Sequence, residues 1–165
     1  MRVDDLTYPE HGATKAELPP GYHHLERRAK IGSGRAAFER GAAALMAWEM
    51  QRASGLKVTA DGPVRPGQKV VSKLAPGITA PCRVVYVIDE PTRRGFGYGT
   101  LPGHPESGEE AFLIDIDDAA DVWFTVRAFT HPGNTLAKLV GPVGRVAQQL
   151  MTARYISAMR RLSAG

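Results

Sequence analysis

Between residues 56 and 130, apolar stretches follow one another so closely, each broken by proline or glycine, that no crossover helix fits between them. Parallel neighbours need a connection of about a dozen residues or more, so these stretches are expected to pair as an antiparallel meander. They cover residues 56–60, 68–74, 82–88, 95–101, 110–116 and 122–130, with turns at Asp61-Gly62-Pro63 and at 117–121. Alternation puts Cys82, Val84, Tyr86 and Ile88 on one side of their strand and Val85 and Val87 on the other, as in a central strand covered on both faces. In the last strand Val122, Phe124, Val126 and Ala128 alternate with Trp123, Thr125, Arg127 and Phe129. Arg127 therefore either snorkels to the rim or enters a cavity that holds a carboxylate partner.

The flanks complete the architecture. Residues 1–21 carry turn formers and no sustained periodicity, so this arm must dock on the domain to be ordered. Residues 22–31 read as a first strand closed by Gly32-Ser33-Gly34. A helix is expected over 35–52, with Phe38, Ala42, Leu45, Met46 and Trp48 on its apolar stripe, Ser33 as N-cap and Ser54-Gly55 as the stop. A longer apolar-striped helix over 135–162 carries Leu136, Leu139, Val140, Val143, Ala147, Leu150, Met151, Ile156, Met159 and Leu162. Gly141-Pro142 either kinks it or opens its main part. The expected fold is α+β of the helix-grip kind: a curved antiparallel sheet of six to seven strands wraps around a long C-terminal helix, with a shorter helix after the first strand. All 165 residues are read as one domain, with room for a pocket between sheet and last helix.

Composition narrows the function classes. The formal charge of +4 is mild, and the pairs Arg27-Arg28, Arg93-Arg94 and Arg160-Arg161 are interspersed with acids. Without a concentrated basic face, no nucleic-acid partner is expected. No run of about 18 apolar residues predicts a membrane span, and the N-terminus lacks a signal-peptide pattern, so a cytoplasmic protein is expected. Cys82 is the single cysteine, which rules out an intramolecular disulfide and an all-thiolate metal site. His23 and His24 are neighbours on a strand and diverge, and His11, His104 and His131 show no ligand spacing, so neither metal nor cofactor is expected.

The chemistry concentrates in residues 95–112. Gly95, Gly97 and Gly99 fall on one strand face opposite Phe96 and Tyr98, which implies that something approaches the backbone closely there. The turn that follows brings His104, Glu106, Glu109 and Glu110 together in sequence. His104 with Glu106 or Glu109, and with Tyr98 just upstream, would suit a general base and its orienting partner. Glu109 and Glu110 are adjacent and should diverge, and a carboxylate here would equally serve to cap backbone amides. Both readings stay open. The glycine spacing is no phosphate loop, because no helix N-terminus follows it.

Several segments resemble one family. Tyr8-Pro9-Glu10 with Gly12-Ala13-Thr14, Pro20-Gly21-Tyr22, the whole of 95–112, and Gly141-Pro142 together resemble the domain of unknown function 1990, found in bacteria and plants. The resemblance implies a relative of the START-like superfamily, in agreement with the helix-grip pattern, and implies no particular activity. The expected function is binding of a small apolar or amphipathic ligand between sheet and last helix, with Gly97, Tyr98, Gly99, His104, Glu110 and Arg127 in contact with it. The alternatives are a small-molecule hydrolase, cyclase or isomerase built on His104, Glu106, Glu109 and Tyr98, or a structural protein-interaction domain. A homodimer stays open.

Overall fold

The computed structural model describes residues 5–134, 137–138 and 141–165. The strands are β1 (His23–Ser33), β2 (Lys57–Ala60), β3 (Lys69–Ala75), β4 (Ile78–Glu90), β5 (Arg93–Thr100), β6 (Glu106–Ile116) and β7 (Asp121–Pro132). The helices are α1 (Arg35–Met46), α2 (Glu49–Ala53) and α3 (Gly141–Ala164). The seven strands form one antiparallel sheet in the order β1-β7-β6-β5-β4-β3-β2. The meander from β2 to β7 follows the expected hairpins. Its ends are joined by a connection that no local pattern announces: α1 and α2 carry the chain from β1, at one edge, to β2 at the other. The result is a START-like helix-grip fold, a curved sheet holding a long C-terminal helix.

Three local expectations are corrected. The helix expected over 35–52 is broken at Trp48, whose φ of 64° is left-handed. This lets the indole turn inward, where it is 1% exposed, donates to the Gly62 carbonyl and packs edge-on against Phe96. Ser33 ends β1 and does not cap α1; Gly34 takes the N-cap position. The third correction falls in β4. The register slips between Val84 and Tyr86, so Val84 pairs with Tyr98 and Tyr86 with Gly97. A one-residue bulge flips every side chain beyond it. Cys82 and Val84 share the face towards the helix, Tyr86, expected beside them, turns to the opposite face, and Val87 joins the core in its place.

The core lies between the concave face of the sheet and the helices. Phe96, Phe112, Phe124, Val126 and Ile114 from the sheet meet Phe38 and Leu45 of α1 and Ile156, Ala158 and Met159 of α3, all buried. Gly41 marks the crossing of α1 with α3: a Cβ there would lie 2.5 Å from Ser163 Oγ and 2.6 Å from Ile114 Cδ1.

Only the C-terminal half of α3 packs tightly, with Thr152, Tyr155, Ile156, Ala158, Met159 and Ser163 buried. Val143, Val146 and Leu150 are 69%, 56% and 62% exposed, so the apolar stripe expected to seat Val143 and Leu150 on the sheet is not seated there. Thr135, the expected start of that helix, and Leu136, Leu139 and Val140 of its stripe lie outside the described residues. Among the described residues no helix is long and apolar enough to cross a membrane.

Candidate functional site

Two sites grow from the 95–112 segment, one on each face of the sheet. On β6 the side chains of Glu106, Glu110 and Phe112 point to the concave face, where Gly108 also falls, and Ser107, Glu109 and Ala111 to the convex face. The adjacent carboxylates Glu109 and Glu110 therefore diverge.

On the convex face Glu109 is 1% exposed and receives four donors from the N-terminal arm. The Tyr8 hydroxyl (2.6 Å) and the Gly12 amide (2.7 Å) donate to Oε1, and the Thr14 amide (3.0 Å) and hydroxyl (2.5 Å) donate to Oε2. Since the Thr14 hydroxyl gives its proton to Glu109, the Tyr86 hydroxyl 2.7 Å away donates to Thr14. Burial and then the adjacent Glu109 charge push the Tyr8 phenol far up, and burial pushes Tyr86 up to about 12, so both stay protonated donors.

Arg127 serves the same latch: it donates to the carbonyls of Thr14 and Ala16 and pairs with Glu26 at 3.2 Å. The glycine face is filled here as well. A Cβ on Gly97 would run into the Tyr86 ring, and one on Gly99 into the Tyr8 ring and hydroxyl. What approaches the backbone is the protein's own tyrosines. Gly97, Gly99 and Arg127, expected against a ligand, all face away from the cavity, and Glu109 is a latch whose carboxylate has no open side.

On the concave face a cavity of about 550 Å3 lies between β3–β6 and the N-terminal half of α3. Leu56, Leu74, Ile78, Ala80, Val143 and Met151 make its apolar wall. Tyr98, His104, Glu106, Glu110 and Tyr155 make its polar end. Of the residues expected at a site, this cavity gathers Tyr98, His104, Glu106 and Glu110. Tyr155 of α3 completes the group, and only its standing as an aromatic residue among aliphatic ones in the last helix hinted at it.

His104 and Glu106 do not form a base–carboxylate couple. The Glu106 amide donates to His104 Nδ1 at 2.9 Å, so Nδ1 is an acceptor and the ring proton sits on Nε2. Burial lowers the imidazole to about 4, which keeps it neutral near pH 7. A neutral ring whose free nitrogen carries the proton donates to the cavity and does not abstract from it.

The two glutamates are the unusual feature. Burial, and then the negative charge of Glu106, raise Glu110 to about 8, while burial raises Glu106. No lysine or arginine pairs with either among the described residues. Near pH 7 the pair holds a proton on Glu110, and Tyr98 and Tyr155 are pushed well above the usual phenol range by the same burial. No group of three or more His, Cys, Asp and Glu among the described residues is arranged to hold a metal ion.

This arrangement makes a stability prediction. Glu110 holds its proton more tightly folded than unfolded, so its contribution is complete below about pH 4.5 and is lost as pH rises towards 8. Glu110→Gln removes that loss. The variant is expected to equal the parent near pH 4.5 and to exceed it by about 2 kcal/mol at pH 8.5, after discounting for the open cavity mouth. Urea unfolding across that pH range measures it, and a stability difference that does not change with pH would refute the raised Glu110.

A family model described as Domain of unknown function (DUF1990) matches residues 7–158. The chain belongs to that family. Among relatives, the UPF0548 protein At2g17695 of Arabidopsis thaliana is 34% identical over 131 residues, covering 74% of this chain and 64% of that protein. A UPF0548 protein of Deinococcus radiodurans is 42% identical over 83 residues, covering 50% and 41%. The matched stretch is thus less than two thirds of either relative's length.

Among solved structures, the hypothetical protein jhp0584 of Helicobacter pylori superposes with a TM-score of 0.68 at 10% identity, over 89% of this chain and 95% of that one. Norcoclaurine synthase from Thalictrum flavum, solved with dopamine and hydroxybenzaldehyde, gives 0.57 at 11% identity over 85% of each chain. At such identities the likeness shows the DUF1990 chain's helix-grip fold alone.

Proposed function

We propose that this DUF1990 chain binds a small molecule with a largely apolar body and one polar end, seated between β3–β6 and α3. The carrying observation is the cavity itself, whose volume of about 550 Å3 falls within the range of small-molecule sites and whose largely apolar wall gathers its ionisable groups at Tyr98, His104, Glu106, Glu110 and Tyr155. The core closes behind it, because Phe112 and Phe124 fill the C-terminal half of the space under α3. Norcoclaurine synthase holds its ligands on this fold, which supports the reading by analogy.

Native mass spectrometry of protein purified from its own host tests this directly. The parent is expected to carry a discrete small molecule that denaturation releases. Ala80→Phe, which projects a ring into the cavity from β4, is expected to melt at or above the parent temperature and to lose that molecule. A parent free of adduct, with no small apolar compound stabilising it in a thermal-shift panel, would refute the proposal.

An enzymatic reading rests on different atoms from those a His–Glu couple would use. A carboxyl group that keeps its proton near pH 7, beside a second carboxylate and two phenols, is the equipment of a general acid, with Glu110 as proton donor. Turnover of the released molecule by the parent, abolished in Glu110→Gln, would favour it over simple binding.

A further inference from the structure

We infer that the ligand carries a cation, an ammonium or amidinium group on an apolar body, and that this group sits at Glu110, in the negative field of Glu106. The inference rests on the ligand-binding reading above and names the chemistry of its polar end.

Three independent observations lead there. First, Glu106 and Glu110 stand four residues apart on the same face of β6, with Gly108 between them presenting no side chain. Their carboxylates line the polar end of the cavity without a counter-charge among the described residues: the salt bridges of Arg28, Lys30, Arg35, Arg65, Arg83, Arg94 and Arg127 all lie elsewhere. Burying two acids without a base is costly unless something supplies the positive charge.

Second, Tyr155 is 4% exposed and lines the same space. Its hydroxyl bonds that of Tyr98, which leaves a lone pair on the phenol oxygen able to accept from an ammonium. Third, the rings of Tyr98 and Tyr155 line this end, and Phe112, buried behind them, packs edge-on to each at 5.4 Å. Aromatic faces attract cations and repel anions. The carboxylates set the sign of the ligand, and the phenol oxygens and tyrosine rings can accept the same cation.

The groups facing Glu110 are Glu106 on its own strand, Tyr98 and Cys82 from neighbouring strands, Tyr155 from α3 and His104 from the turn. None of them is cationic near neutral pH, His104 being held neutral by burial. An arriving ammonium would displace the Glu110 proton into solvent, so its affinity should rise between pH 6 and 9.

Isothermal titration of the full chain with n-octylammonium, 1-octanol and octanoate, at equal ionic strength, tests the inference. Octylammonium is expected to bind at least tenfold more tightly than octanol, with octanoate weakest, since a charge-assisted hydrogen bond is worth about that factor. Glu106→Gln and Glu110→Gln, nearly isosteric, should each cut the ammonium preference to under about threefold while octanol binding holds. Octanol or octanoate binding as tightly as the ammonium would overturn the cation and leave the cavity reading standing. Failure of all three probes would overturn both. Ammonium binding that persists unchanged in the two glutamine variants and in Ala80→Phe would be surface adsorption, and would also overturn it.

Discussion

Glu109→Ala is expected to cost about 4 kcal/mol of stability, the largest effect of any single change proposed for this protein. The mutation removes one acceptor group and orphans four donors: the Tyr8 and Thr14 hydroxyls and the amides of Gly12 and Thr14. The Tyr8 and Thr14 donors are buried and the Gly12 amide is half-buried, and each buried group left unsatisfied costs about 1–3 kcal/mol. For a chain of this size the loss corresponds to a fall in Tm of roughly 10 °C.

A double-mutant cycle with Tyr8→Phe isolates the latch. Tyr8→Phe alone is expected to cost about 2 kcal/mol, and to cost almost nothing once Glu109 is gone. Hydrogen exchange at the Gly12 and Thr14 amides should accelerate in Glu109→Ala while the β6–β7 ladder stays protected. A loss below about 1 kcal/mol would mean that the arm is held by Tyr8 packing against Phe129 and not by the carboxylate.

Gly108→Ala is expected to cost about 3 kcal/mol, and by a different route. Gly108 has a φ of 151°, which L-residues rarely adopt, and a Cβ there would run into the Phe129 carbonyl oxygen and lie 2.8 Å from Thr130 Cα. The atoms in the way are backbone, so no rotamer relieves the clash and β6 must separate from β7. Because Gly108 stands between Glu106 and Glu110, the same shift moves both carboxylates, and probe binding should weaken together with stability. Chemical denaturation and titration with n-octylammonium on the same preparation read the two effects. A variant with parental stability would show that β7 yields easily, and would remove the structural reason for glycine at this position.

Alternation along β6 makes the divergence of Glu109 and Glu110 legible in the residues alone, because side-chain direction in a strand has a period of two. The same rule picks out Gly95, Gly97 and Gly99 as one crowded face. It does not identify the crowding groups, Tyr8 from the arm and Tyr86 from β4, which arrive from distant parts of the chain. It also misplaces Tyr86, because the bulge at Val84/Tyr86 shifts the register and nothing in the residues 82–88 marks it. His104 is legible as a polar residue in a demanding turn. Its neutrality follows from burial and from the Glu106 amide on Nδ1, neither of which is a property of spacing.

Local pattern by itself determined the antiparallel meander, the long last helix and the helix-grip class, since short turns forbid crossovers and periodicity reports which face is apolar. Tertiary structure alone decided that β1 closes on β7, that Arg127 and Glu109 hold the arm, and that Tyr155 meets Glu110 across an open cavity. The physical reason is range. Turn length and side-chain direction are set by a few neighbouring residues, whereas burial, counter-charge and empty space are set by groups far away along the chain.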